Sequence, residues 1–182
     1  MKTLKHRSKH RRVRTQRGNT LVELALVLTP MFALLLAIVE VSLPIFKKST
    51  FVAAVREGCR YGITYQTTYN GQSYSSQSAA IKAVVLANSM GFLSDTSDIH
   101  VNYYLSTSPF TDVTAGGSGI VPNNDGNIIQ VSISGYTHNW IDPINWSYEG
   151  KTFSVTQGSL PVVAVSADRL ETLPVGSTRP SP

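Results

Sequence analysis

The sequence predicts an α+β protein: a long N-terminal membrane-spanning helix, then a small domain of one helix and a three- to four-stranded antiparallel sheet. Two observations carry most of this. Residues 24–39 (LALVLTPMFALLLAIV) are sixteen in a row without a charge. Beyond residue 97, two stretches alternate apolar and polar side chains with the period of a half-buried strand. A third observation concerns topology. Residues 1–18 carry Lys2, Lys5, Arg7, Lys9, Arg11, Arg12, Arg14 and Arg17, eight bases and no acid; the rest of the chain sets eight bases against all 11 acids, a net of −3.

That division decides how the overall charge of +5 is read. Spread over a folded surface it would suggest nucleic acid. Confined to a short arm on a mildly acidic body, it points to membrane topology or targeting, and no nucleic-acid partner is expected. At 182 residues the chain has room for one ordinary domain with additions. Charged residues are 15% of it, against about 25% in an average soluble chain. The single cysteine, Cys59, excludes an internal disulfide, so an exported domain must hold by its core alone.

The first element is the apolar helix. Leu21 to Phe46 is 26 residues, or about 39 Å at 1.5 Å per residue, against a hydrocarbon core of about 30 Å. Glu23 and Glu40 lie 17 positions apart, about 26 Å along a helix, so each falls near one edge of the core rather than at its centre. A soluble core helix is the competing reading. It fails because no face of residues 24–39 is polar; Thr29 is the only hydroxyl there. The base-rich end stays in the cytoplasm, which places the C-terminal domain outside. Lys47 and Lys48 close the span as an interface anchor.

An ordinary secretory signal does not fit, because the apolar stretch is too long and no small-x-small site follows it. Arg11–Arg12 suggests a twin-arginine signal only until the strongly apolar segment behind it is weighed. A different cut fits better. Gly18 separates the arm from the helix, and Glu23 lies five residues beyond it, in Arg17-Gly18-Asn19-Thr20-Leu21-Val22-Glu23. This string resembles a type IV prepilin signal, which implies a prepilin peptidase cutting after the glycine on the cytoplasmic side. A glycine suits such a site because its backbone extends into a cleft without a side chain in the way. Asn19 then carries a free α-amine. The Glu23 carboxylate can pair with the amine of a neighbouring subunit, since an unpaired carboxylate is strongly disfavoured in low dielectric. The plainer alternative for Glu23 is a side chain reaching the headgroups.

The string GNTLVELALVLTPMFALLLAIVEVSLPIF, followed by VAAVREGCRYG, resembles the TadE-like family, pseudopilins (minor pilins) of the tight-adherence, or Flp, pilus assembly system. Gly18, Leu21, Val22, Glu23, Ala25, Leu26, Pro30, Glu40, Ala54, Arg56, Glu57, Gly58, Arg60, Tyr61 and Gly62 fit the family pattern. Cys59 departs from it, standing where a small residue such as alanine is usual, which argues for a packed, inert thiol. The resemblance covers residues 11–64. It implies a pilin-like fold and partners that are the prepilin peptidase, other pseudopilins and pilus-assembly proteins, and the lipid bilayer. It also implies a single-pass protein of the bacterial inner membrane, with its N-terminus cytoplasmic and an association with the pilus.

The helix is expected to run on as a stalk over 47–63. Phe51, Ala54, Val55, Gly58 and Gly62 share a face, with Arg56, Glu57 and Arg60 mostly elsewhere. Gly58 and Gly62 form a small-residue strip that another helix could approach closely. Pro30 and Pro44 should each bend the helix or loosen a turn. Residues 65–78 read as a polar surface loop. Ser78 caps a helix over 79–91 whose apolar side is Ile81, Val84, Val85 and Met90, ended by Gly91.

Strands follow. Residues 98–106 alternate through Ile99, Val101, Tyr103 and Leu105, and 127–137 through Ile129, Val131 and Ile133, after a turn at Asn124-Asp125-Gly126. A loop or edge hairpin spans 138–151, and Phe153–Thr156 and Leu160–Ala167 close the sheet. The expected organisation is a leader over 1–18, a spanning and stalk helix over 19–64, an extracytoplasmic α+β domain over 65–172 and a disordered tail over 173–182.

Nothing in the sequence points to catalysis, a metal or a cofactor, and the chain is read as a non-enzyme. His6 and His10 lie in the arm, and His100 and His138 at strand ends, none at metal-ligand spacing. Asn123-Asn124-Asp125-Gly126 fails as a calcium loop because Val121 and Ser132 stand at its first and twelfth positions. Ala115-Gly116-Gly117-Ser118-Gly119 lacks the lysine of a phosphate loop. Asn145-Trp146-Ser147 is a sequon of a kind that arises by chance. The reading is therefore a structural subunit that works by assembly. The alternative is an uncleaved single-pass membrane protein whose outer domain binds a ligand or partner.

Overall fold

The computed structural model describes residues 16–107, 109–117, 119–140, 145–148, 150–154, 159–173 and 175–182. Most of the basic arm, including the Arg11–Arg12 pair, His6 and His10, lies outside these residues, as does Thr156. The fold is α+β, as expected. Helix α1 runs Gln16–Gly62 without interruption through both prolines. Thr29 Oγ1, next to Pro30, donates to the Ala25 carbonyl at 2.8 Å. The chain divides into two compact units, Met1–Val41 and Ser42–Pro182. The second unit thus begins inside α1, so residues 47–62 of the helix fold with the C-terminal residues.

Within that second unit, two short strands, β1 (Thr68–Tyr69) and β2 (Gln72–Ser73), pair as a hairpin. Asn70 and Gly71 both take positive φ between them, the geometry that Asn-Gly favours in a tight hairpin. The region expected to be plain loop therefore contains a turn with a sequence signal of its own.

Helix α2 covers Gln77–Asn88. Its N-cap is Ser76, not Ser78: Ser76 Oγ accepts from Ala79 N at 3.1 Å. The shift puts Gln77 in the first turn, where its buried side chain has a task. Its Nε2 donates to the Gly62 carbonyl at 2.6 Å, satisfying an orphan acceptor at the end of α1. Its Oε1 accepts from Tyr103 Oη and Asn123 Nδ2.

The main sheet is three-stranded and antiparallel in the order β3-β4-β9, with β3 Ile99–Tyr104, β4 Ile128–Ile133 and β9 Ala164–Arg169. Val101 faces Val131, which faces Ser166. Ile99, Val101 and Tyr103 of β3 and Ile129, Val131 and Ile133 of β4 are buried, as alternation predicts, while Leu105, expected on the same face, lies past the end of β3 and is half-buried. Four more short strands pair in two further ladders: β5 (Thr137–His138) pairs with β8 (Leu160–Pro161), and β6 (Asn145–Tyr148) with β7 (Lys151–Ser154). The expected closing strand 160–167 is split by Val162 and Val163.

One core joins these parts. Phe51, Ala54, Val55 and Cys59 of α1 meet Ile81 and Val85 of α2 and the inner face of the sheet. Met90, assigned to the apolar side of α2, is instead 71% exposed. The helix has ended by then, and Phe92 and Leu93 take the inward positions.

The tail also departs from expectation. Residues 179–181 are tied down rather than disordered. The Ser181 carbonyl accepts from Gln77 N at 2.8 Å, filling a donor at the start of α2, and the Pro180 carbonyl accepts from Asn123 Nδ2 at 3.0 Å. Arg179 bonds Asp125 at 2.6 Å.

Candidate functional site

The functional residues expected from the sequence all lie on α1, in two stretches with different surroundings. In the first, Gly18 and Asn19 are part of the helical backbone. Cleavage between them would require that turn to unwind. Glu23 is exposed, and Glu40 is half-buried. Between and around them the large apolar side chains are uncovered: Leu26 is 72% exposed, and Leu24, Leu34, Leu36 and Ile38 are similarly open. Among the described residues, α1 is the one helix long and apolar enough to cross a membrane. A stripe of this kind is stable in water only when something covers it, and either a bilayer or other helices would serve.

The second stretch is already covered. All five residues expected to share a face, Phe51, Ala54, Val55, Gly58 and Gly62, are buried. The glycines show why. A Cβ on Gly58 would lie 2.5 Å from Val85 Cγ2, and one on Gly62 would lie 2.7 Å from Ile129 Cδ1 and 2.9 Å from Ile81 Cδ1. The small-residue strip is therefore filled by α2 and β4 of the same chain, and a partner helix has no access to it.

Cys59 packs in this layer with its thiol 3.2 Å from the Ser166 carbonyl. Burial raises its pKa above the ordinary 9.0, and the hydrogen bond to Ser166 opposes that only in part. The thiol is thus packed and held in its neutral form, as suits a residue in a small-residue position.

Near the start of the second unit, Lys47 is tied into the fold. Its Nζ donates to Tyr136 Oη at 2.8 Å and lies 3.1 Å from His138 Nδ1. An ammonium has only donors, so Nδ1 is the acceptor and the ring proton sits on Nε2. The same ammonium lies 5.5 Å from the Phe92 ring centre and 5.3 Å from that of Tyr136. Such contacts are favourable cation–π geometry. Sequence reasoning missed this clamp because its members are spread over 91 positions. Lys48, beside it, is exposed.

At the other end of the unit, Tyr65 donates to Asp125 and to the Glu171 carbonyl. Its phenol is pushed up to about 12, chiefly by burial and then by the bond to Asp125. Asp125 is held below the usual carboxylate range, first by Arg179. This is a surface network that fastens loops. Among the described residues no three His, Cys, Asp or Glu side chains gather as metal ligands would. A groove of about 640 Å³ runs along the second stretch, lined by Ser49, Ala53, Glu57 and Tyr61 of α1 and by Val84 and Asn88 of α2.

Comparison with known proteins adds one finding. Residues 18–60 match the family described as TadE-like protein. No curated protein and no solved structure matches the chain. The matched stretch starts at Gly18, takes in Glu23, Pro30 and Glu40, and ends two residues short of Gly62. Residues 18–60 of this chain are thus a TadE-like segment, the mark of a membrane protein associated with the tight-adherence (Flp) pilus.

Proposed function

We propose that the protein is a membrane-anchored pseudopilin that takes part in assembly of the tight-adherence pilus. The observation that carries this reading is the TadE-like match over residues 18–60, which opens on the glycine expected at a processing site. The chain inserts with its basic arm in the cytoplasm, and its α+β domain faces the outside of the inner membrane. A prepilin peptidase cuts after Gly18, the arm is lost, and Asn19 becomes the N-terminus. The uncovered apolar face of residues 21–46 holds the protein in lipid and then packs among the helices of other pseudopilins and assembly proteins.

Glu23 gives that packing a register. It stands exposed in the apolar stretch, four residues from Asn19. Sliding helices past one another leaves its carboxylate uncompensated until it meets the α-amine of a neighbour. Glu40, at the far edge of the span, is the second acid of the segment. The work is done by burial of apolar surface and pairing of charge, with no chemical step.

The test is the mature N-terminus, read by mass spectrometry after co-expression with a tight-adherence prepilin peptidase. A start at Asn19 is expected, and Gly18→Ala should leave the arm attached. Glu23→Ala should insert normally yet fail to support assembly. A chain that still begins at Met1 in assembled, functioning material overturns the reading.

A further inference from the structure

The membrane-facing end of the outer domain has an unusual turn. Helix α2 lies antiparallel to the upper part of α1, since Gln77 meets Gly62, Val85 meets Gly58, and Phe92 meets Phe46. Its C-terminal end therefore returns to the level at which α1 leaves the span. There Met90 takes φ +55, followed by Gly91 at +78. A left-handed residue just past a helix end is common, but glycine or asparagine normally fills it. A methionine in that conformation is uncommon and carries strain. The Met90 side chain is 71% exposed, at the end of the groove between α1 and α2.

Met90 is not alone at this end. Ile45 is 66% and Phe46 51% exposed. Phe46 meets the Phe92 ring edge-on at 5.9 Å. Leu160, also exposed, pairs across β5–β8 with His138, whose ring meets Trp140 at 5.5 Å. Exposed Lys48 completes the rim. Helix rise gives the depth. A hydrocarbon core of about 30 Å centred between Glu23 and Glu40 ends near residue 41, so Ile45 and Phe46, about 5–7 Å further along the helix, fall in the headgroup layer. Aromatic, aliphatic and lysine side chains together at that depth are what an interfacial surface requires.

We propose that this end of the domain is a lipid-contacting surface: the Met90 turn, Phe46 and the β5–β8 edge, brought beside the exit of the span, seat in the phospholipid interface. The partner is the bilayer itself, and continuity with the spanning segment selects it. The inference rests on the membrane reading of residues 21–46. The Lys47 clamp to Tyr136 and His138 ties the β5–β8 edge to α1, so helix and domain base settle into the interface as one surface. While the subunit waits in the membrane, seating hides apolar surface that would otherwise face water.

The test uses the full chain in phospholipid vesicles with Cys59 replaced by alanine. Spin labels go on Met90→Cys, on Leu34→Cys in the span, and on Asn124→Cys at the opposite end of the domain. Collision with oxygen, relative to a water-soluble nickel complex, reports depth. Leu34→Cys should read deep lipid. Met90→Cys should read shallow lipid, with an oxygen preference several-fold above Asn124→Cys. An aqueous Met90→Cys beside a lipid-buried Leu34→Cys overturns the proposal while leaving the span intact. An aqueous Leu34→Cys overturns the membrane reading and the proposal with it.

Discussion

One helix, α1, holds two stretches of apolar sequence that meet opposite fates. Around Leu26 and Leu34 every large side chain is open, whereas Phe51, Ala54 and Val55 are sealed. Residue size and the placing of polar residues separate them. The lower stretch is bulky all round and lacks a polar face, so no side of it suits water. The upper stretch sets Ala54, Gly58 and Gly62 on one face and Arg56, Glu57 and Arg60 on the other. Small residues let α2 and β4 approach to contact distance, and charges keep the opposite side wet. The first stretch is built to be covered by something outside the chain, the second by the chain itself.

The contrast can be broken most forcefully by truncating aliphatic side chains. Ile81→Ala removes a fully buried side chain that packs on Gly58 and Gly62. It should cost about 3 kcal/mol of domain stability in denaturant titration. Leu34→Ala, in the open stretch, should leave that titration unchanged. Enlarging the strip comes next. Gly58→Leu puts a side chain where even a Cβ would lie 2.5 Å from the stiff Val85, and should cost about 2 kcal/mol. Ala33→Leu in the span should cost the domain nothing.

Smaller effects sharpen the account of what is sealed. Asn123→Ala removes the donor to Gln77 Oε1 and to the Pro180 carbonyl, and should cost about 1–2 kcal/mol and speed proteolysis of the tail. Cys59 offers a pH test. Its pKa is raised on folding, so the stability it contributes is full below its ordinary 9.0 and is lost as pH rises through the folded value. Wild type should weaken more than Cys59→Ala in melts above pH 9, and alkylation of Cys59 should keep pace with unfolding. Least is expected of Arg179→Ala. Its bond to Asp125 is on the surface and screened by water, so the melting temperature should hardly move.

Periodicity made the sealed stretch legible. The shared face of α1 and the inward residues of β3 and β4 follow from 3.6 and 2 residue repeats, and the structure keeps each of them. Features built from backbone groups were not legible. The tail, rich in Gly, Ser and Pro, reads as disorder, yet two of its anchors are carbonyls of Pro180 and Ser181, and a carbonyl carries no mark in a sequence. The choice of Ser76 over Ser78 turned on where Gln77 had to go, a tertiary demand. The Lys47 clamp joins residues far apart in the chain. Met90 fits a helical stripe, but the helix stops before reaching it. The Asn70-Gly71 dipeptide is itself a hairpin signal, set in a polar run that otherwise reads as loop. For the candidate site, the TadE-like residues are recognisable in sequence because their spacing is fixed on one continuous helix. What the sequence left open was that Gly58 and Gly62 serve the chain's own fold.

Hydrogen exchange on the full chain in phospholipid vesicles, followed by mass spectrometry as urea unfolds the domain, tests the two-cover account most directly. Amides of residues 50–62 should lose protection together with α2 and β4, while those of 24–39 stay protected by the bilayer. Loss of protection in both stretches at the same urea concentration, or free exchange of 24–39 before any urea is added, would contradict it.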